Sequence, residues 1–529
     1  MNGIAIGLGL ALGTPAAALR AQTTWYVDAS YGGPGSGTMG DPFSSIQYAI
    51  DQPRTLDGDA LLILPGCYLE TVDLRGKTLT LEGSAGADHT AVDGGGLQTV
   101  FRILAGEAPE FRGLTIKNGG GTELAGVMRG GGVLCLGSSA TFRDCKFVDN
   151  DLPHSFPTPR GGGIYADGSH LVLEDCELSG HENGEAIYAT GSTVELAGSS
   201  IHHNTNFGGG VEPLQASGIT LVVCESTLIG CDVSSNGNRV LGVPDQGGGI
   251  VARGGTLRLE DSLVADNSGE FRGGGIALFG CEVTIEGCAI SRNESFDGYF
   301  GGGLYAAASP ASSGTISNTA FCENGAGDGG GAFLGAGDFT FTRCTFAANH
   351  VSSLYSEQGS GGGLYVLDGA SVSVVRSLFH GNTALGQVLF GEGGRGGGVY
   401  GRANLDRCTL VENTAAHGFA RLAEGGGAFA ASLASSIVWD NVPESLGGRS
   451  TVTYSDVEGG WPGLGNFDLD PRFRDAASRD HRLHRNSPCI DAGDPAGPPD
   501  ADGSRPDVGA FPFLRRERGA RAVITLRSR

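Results

Sequence analysis

Hydrophobic and polar residues alternate along most of this chain in runs too short for helices. Leu171 and Leu173 bracket Val172, and Val283 and Ile285 bracket Thr284, so alternate side chains share one face as they do in a strand. The runs are rich in β-branched residues and bounded by turn formers, which reads as a succession of short strands. Helical spacing stands out near the N-terminus. There Asp41-Pro42-Phe43 offers an N-cap and a first helical residue, Phe43, Ile46 and Ile50 follow on one face, and Pro53 ends the segment. A short capping helix is expected, preceded by a strand over 25–29 and followed by the first coils from the apolar segment 60–64.

From residue 130 on, a glycine triplet followed by an apolar residue recurs ten times, as in GGGIY at 161–165 and GGGVY at 396–400. GEAIY at 184–188 is a degenerate copy, and the mean period is about 30 residues, the range of stacked solenoids. A second motif, [CST]x[FILV]xx[NH], follows at a nearly fixed offset. It runs from Cys145-Phe147-Asn150 through Cys288-Ile290-Asn293 to Ser436-Val438-Asn441, with His181 in the Asn position of one copy. The repeats hold no helical pattern, so each unit must be several short strands that wind round and stack on the next, a parallel β-helix with rungs about 4.8 Å apart. The [CST] and [FILV] positions then point into the core, the Asn residues form a ladder at a turn, and the triplets mark a corner needing positive φ or close backbone approach.

Composition sharpens this picture. Glycine makes up 94 of 529 residues, which disfavours long helices, and its clustering in triplets excludes collagen. With 35 Lys and Arg against 58 Asp and Glu, the net charge of −23 would repel a phosphate backbone, so nucleic acid is not an expected partner. The apolar run 4–13, followed by the small residues Ala16, Ala17, Ala18 and Ala21, has the length of a signal-peptide core, and export is expected. No other segment is long and apolar enough to span a membrane as a helix. Twelve cysteines would suggest disulfides in an exported chain, but Cys145, Cys231, Cys288, Cys344 and Cys408 share one ladder position with Ser or Thr in most intervening coils. Buried free thiols acting as small hydrophobes are expected instead.

At this point the sequence resembles known families. YVDAS at 26–30, DPFSSIQYAI at 41–50 and LPGCY at 64–68 look like the start of bacterial right-handed parallel β-helix proteins of the pectate-lyase-like superfamily. The FxxN copies at Phe147, Phe321, Phe346 and Phe379, paired with the triplets, are similar to the repeats of polymorphic outer-membrane proteins. DPRFRD at 470–475, DHRLHRNSPCIDAGDP at 480–495 and DADGSRPDVGAF at 500–511 resemble a C-terminal choice-of-anchor Q domain. The resemblance implies an all-β, right-handed parallel β-helix at the cell surface or outside the cell. The expected divisions are a signal peptide (1–21), cap and first coils (22–95), repeats (96–455), closing domain (456–513) and basic tail (514–529).

Recognisable chemistry is sparse. Lys117 on a strand and the pair His202-His203 read as ordinary coil and surface residues, and no residue is assigned a catalytic role. Asp494, Asp500, Asp502 and Asp507 around the DADG turn offer hard oxygen donors suited to calcium, set against ordinary Asx turns. Insertions between the ladder Asn and the next triplet fall at one place in the coil and should line one edge. They carry Phe156, Phe296, Tyr299, Phe300, Tyr355, Phe390 and Phe419 among acidic residues. That edge is the expected binding site for a polysaccharide or a surface protein, unless its rings fold down over the coil flank. A non-enzymatic surface scaffold of adhesive character is the leading expectation, and a polysaccharide lyase or glycoside hydrolase the alternative.

Overall fold

The structure, a computed structural model, describes residues 21–104, 106–153, 157–206, 216–238, 247–296, 299–352, 359–386, 393–416 and 422–514. Residues 1–20 of the expected signal peptide and 515–529 of the expected basic tail lie outside these. The chain winds into a parallel β-helix with three sheets running along its axis, of 26, 15 and 8 strands. In the 15-strand sheet, strands follow chain order from Gly66–Leu69 to Asp456–Val457, each pairing with the equivalent strand of the next coil. The long sheet takes two segments per coil, such as Ile164–Asp167 and His170–Glu174, which fuse into single strands at Ile219–Ile229, Ile250–Glu260, Ala332–Thr342 and Leu364–Val375. The smallest sheet, from Thr205–Asn206 to Thr414–Ala416, is built from the first residues of the segments read from sequence as loop insertions.

One continuous core runs from Val27 to Val457. The FxxN phenylalanines stack inside it at the rung spacing: the rings of Phe321, Phe346 and Phe379 are 4.7 Å apart and parallel within 4°. Two corners per coil are turned by a residue with positive φ. One immediately precedes the [CST] position, as at Asp144, Asp261, Arg343 and Arg407, and the other precedes the ladder Asn, as at Asp149, Asp266, Arg292 and Glu323. At the third corner the first glycine takes positive φ in most described triplets, 64° at Gly161 and 65° at Gly329. The other two glycines answer to space. A Cβ on Gly331 would sit 2.4 Å from the Gly363 carbonyl oxygen and 3.1 Å from the side chain of Asn349, the ladder residue of its own coil.

The Asn ladder is fully bonded within the protein. Asn324 accepts on Oδ1 from both the backbone N–H and Nδ2 of Asn293, and its own Nδ2 donates to the Ile290 carbonyl and to Asn349 Oδ1, all at 2.9–3.0 Å. The [CST] ladder works similarly. The backbone N–H groups of Cys176, Cys231, Cys288, Cys344 and Cys408 each donate to the Ser or Thr hydroxyl of the following coil. All twelve cysteines are free, ten of them buried; Cys67 is exposed and Cys322 half-buried.

The capping helix, Ile46–Asp51, is shorter than the sequence pattern implied. Its N-cap is Ser45, not Asp41, because the chain through Phe43 is held extended by bonds to the edge strand Thr24–Val27, which it covers. The carboxylate of Glu70 takes the N–H groups of Ile46 and Gln47 at 2.8 and 2.9 Å, satisfying donors a helix start leaves free. At the other end, residues 458–514 fold back along the 15-strand sheet. Ala510 N–H reaches Thr409 Oγ1, Asp494 N–H reaches Ser435 Oγ, and Arg376 pairs with Asp500 at 2.6 Å.

Two outcomes follow. Asn324→Ala leaves the buried N–H and Nδ2 of Asn293 without the oxygen they share, so chemical denaturation should show a loss of about 3 kcal/mol. At His181, Nδ1 accepts the Asn150 N–H at 3.1 Å, and burial depresses the imidazole from 6.5 to about 3. Between those values only the unfolded chain binds the proton, so stability falls as pH drops from 6.5 toward 3. His181→Asn should abolish that component, flattening the pH dependence of stability by up to about 1.4 kcal/mol per pH unit relative to the parent.

Candidate binding face

The outward positions of the first segment in the long sheet carry a stack of aromatic rings. Tyr305, Phe333, Tyr365, Tyr400 and Phe429 follow one another at centroid distances of 4.7–5.6 Å, and Tyr165 stacks on Tyr188 at 5.4 Å. At four triplets the preceding residue covers this stack. Arg129, Arg160, Arg272 and Arg395 lay their guanidinium groups over Tyr165, Tyr188, Tyr305 and Phe429 at 4.9–5.4 Å. In the degenerate copy Glu185 replaces the second glycine; it is buried, takes the Gly161 N–H at 3.0 Å and faces Arg160 at 3.3 Å. Burial still pushes its carboxyl up against the pull of that cation. Asp328, in the same covering row, accepts the Ser360 N–H at 2.7 Å and is pushed up to about 7 by burial.

The predicted edge aromatics divide. Phe300 packs on Phe333 at 4.6 Å and on Tyr305 at 6.5 Å, and Tyr299 packs on Phe271 at 4.5 Å, so both are half-buried parts of the cover. Phe296 stands out with 41% of its surface exposed. Phe156, Tyr355, Phe390 and Phe419 lie outside the described residues.

Beside this covered strip, the second segment of each coil presents an open polar face. Its central row runs through paired positions along the whole sheet, among them Thr80, Glu110, Thr141, Glu195, Thr227, Arg258, Thr284 and Thr315. Three shallow clefts lie in line on it. One of about 420 Å³ is bordered by Thr24, Thr80, Glu82 and Arg112, one of about 420 Å³ by Glu195, Glu225, Arg258 and Glu282, and one of about 270 Å³ by Ser373, Asn404, Asp406 and Thr451. Sequence reasoning missed this trough because its residues follow no motif; only their outward register in a strand marks them. Arg112 and Arg143 pair with Glu110 at 2.8 and 2.9 Å, and Arg258 pairs with Glu260, so the cations of the trough are held by its own carboxylates.

The carboxylates around the DADG turn each have partners within the protein. Asp500 faces Arg376 and accepts the Asp507 N–H, Asp507 caps the N–H groups of Asp491 and Phe513, and Asp494 and Asp502 close their own Asx turns. The carboxylates stabilise the closing segment separately, and among the described residues no group of three or more His, Cys, Asp or Glu is disposed to hold a metal. Lys117 pairs with Asp93 at 3.5 Å, and His202 and His203 bond each other at 2.9 Å near the surface.

Coil and ladder define a parallel β-helix solenoid. The sequence matches the right-handed β-helix region over residues 131–294 and 215–437, together more than half of the chain, and the protein belongs to that family. No curated protein sequence matches it significantly. Among solved structures it is similar to pectate lyase Pel9A (15% identity, 94% of this chain and 98% of that one, TM-score 0.23). It is similar also to a rhamnogalacturonan lyase (13%, 93% and 96%, TM-score 0.26). A third likeness is to PfbA, a surface adhesin of Streptococcus pneumoniae (11%, 75% and 88%, TM-score 0.31). Likenesses this loose carry no argument about ligand or activity.

The two described fates of the edge aromatics can be separated experimentally. Phe300→Ala should cost about 1–2 kcal/mol of stability through lost ring burial, whereas Phe296→Ala should leave the denaturation midpoint unchanged. A change in ligand retention on Phe296→Ala would then report binding alone.

Proposed function

We propose that this protein is an exported, non-enzymatic scaffold of the cell surface or extracellular space that binds an elongated partner, a glycan chain or a surface protein, along its outer face. The observation that carries the reading is the alignment of three clefts on one open polar face of the solenoid. A ligand lying along the axis would contact successive coils, each adding a few hydrogen bonds to a surface already rigid and therefore without ordering cost. The loop edge lies across the covered strip from this face, with Phe296 as its exposed aromatic and Tyr299 and Phe300 as its packed base. The apolar run 4–13 supports export.

Polysaccharide cleavage is the second reading, and one feature favours it: Glu195, Glu225 and Glu282 border the same cleft as Arg258. Against it, a general acid needs a carboxyl protonated near neutral pH, which usually requires burial, and these three are exposed. Asp328, which has such a carboxyl, lies in the covering row and not among the cleft residues.

The test is incubation of the full chain with neutral and acidic polysaccharides, with and without calcium, following retention and release of reducing or unsaturated ends. Retention without cleavage is expected, and calcium should make no difference. Catalytic release of sugar ends would overturn the non-enzymatic reading.

A further inference from the structure

The trough changes character along its length, and that change bears on which polymer it takes. Toward the C-terminus its central row is an unbroken run of uncharged hydrogen-bonding side chains, Thr315, Thr340, Ser373, Asn404, Ser432 and Thr451, in register on six successive coils. Ser432 and Thr451 bond each other at 3.0 Å. The side chains of Thr315, Thr340, Ser373 and Asn404 make no hydrogen bond within the described protein, and all four are exposed or half-exposed. Their spacing is fixed by the backbone at about 4.8 Å per coil. The middle of the trough is different. Glu225, Glu282 and Glu286 are exposed with no Arg or Lys in ion-pair contact, Glu195 has only His170 at 3.3 Å, and Arg258 is engaged by Glu260.

Resting on the binding reading above, we infer that the trough is specific for an uncharged glycan laid along the rod axis, and that it discriminates against polyuronates. The hydroxyl and amide row offers both donors and acceptors at each rung, matching the mixed donor and acceptor character of sugar hydroxyls. A chain of equatorially linked six-membered rings has a repeat close to one coil rise, so successive sugars meet equivalent side chains. A polyuronate would bring one carboxylate per ring past the unpaired glutamates, and like charges held at such spacing repel. Discrimination by repulsion at one segment and by hydrogen bonding at another gives the surface both an attractive and an excluding element.

The experiment compares retention of the full chain on an immobilised neutral β-1,4-glucan and on polygalacturonate at two salt concentrations. Preferential retention on the glucan, unaffected by salt, is expected, because no charge pairing contributes. The triple variant Thr315→Val, Thr340→Val, Asn404→Ala should lose retention by about tenfold or more while keeping the parent thermal midpoint. Glu225→Gln with Glu282→Gln should raise retention on polygalacturonate relative to retention on the glucan. Equal or stronger retention on polygalacturonate by the parent would overturn the neutral-ligand inference and leave the binding trough standing. Failure to retain either polymer would overturn the glycan inference and leave a surface protein as the partner of the trough. Loss of the glucan preference in a triple variant that no longer folds is separated from loss of binding by the glutamine pair, whose opposite shift does not depend on the row.

Discussion

The structure depends on one close approach, between the last glycine of the corner and the ladder Asn of the same coil. Gly132 meets Asn150, Gly303 meets Asn324, Gly331 meets Asn349 and Gly398 meets Asn413, each with the amide within 3.0–3.3 Å of where a Cβ would stand. The Asn can bond from coil to coil only because the glycine leaves its amide room inside the cross-section. The glycine in turn lies flat against the next coil's backbone, so the rung spacing is set where both meet. This mutual requirement explains why the two motifs recur together while the segments between Asn and the next triplet vary freely in length. Where it is relaxed the partners change as well: His181 stands over Gly163, and the next coil substitutes Glu185 and Ala186 for two glycines, with Arg160 neutralising the acid.

The alternation of cysteine with serine and threonine has a similar cause. Each hydroxyl accepts an N–H from the coil before and donates to a carbonyl two residues back in its own coil, as Ser262 does toward Cys231 and Glu260. A thiol is a weak acceptor and could not do this for its neighbour as well. Spacing hydroxyls between thiols keeps buried N–H groups bonded, and also keeps most thiols more than one coil apart. Burial raises Cys288 and Cys344 to about 11, which holds them in the unreactive thiol form.

Much of this was legible in the sequence because stacking leaves a periodic record. The core rows, both ladders and the corner role of the triplets follow from residue type and spacing. The smallest sheet was not legible: strands of two or three residues such as Ser268–Gly269 have no alternation to detect. Nor were the αL corners, since Arg292, Glu323 and Arg343 occupy them with side chains that carry no preference for positive φ. There the ladder bonds on either side hold the backbone, overriding the local cost. The helix start moved from Asp41 to Ser45 for a related reason, because residues through Phe43 serve the sheet edge first. The edge aromatics were read from type and position alone, and whether a ring covers or protrudes depends on packing that only the fold supplies.

Parallel sheets are ordinarily covered on both faces, and a solenoid escapes that rule by giving each sheet one inward and one outward side. The consequence is an asymmetry of information. Inward rows are constrained by stacking on two neighbours, so they repeat; outward rows are constrained only to be compatible with water, so any regularity in them needs a separate cause. On the long sheet the outer strip next to the triplets is regular because it is an aromatic stack under arginines, a second small core. The adjoining row has no cover among the described residues and no ring stack, yet it keeps hydrogen-bonding side chains on six successive coils while its charges are gathered elsewhere. Solubility alone would be served as well by lysine and glutamate scattered along it. The separation of a charged stretch from an uncharged one along a single continuous row is therefore the feature that folding does not account for.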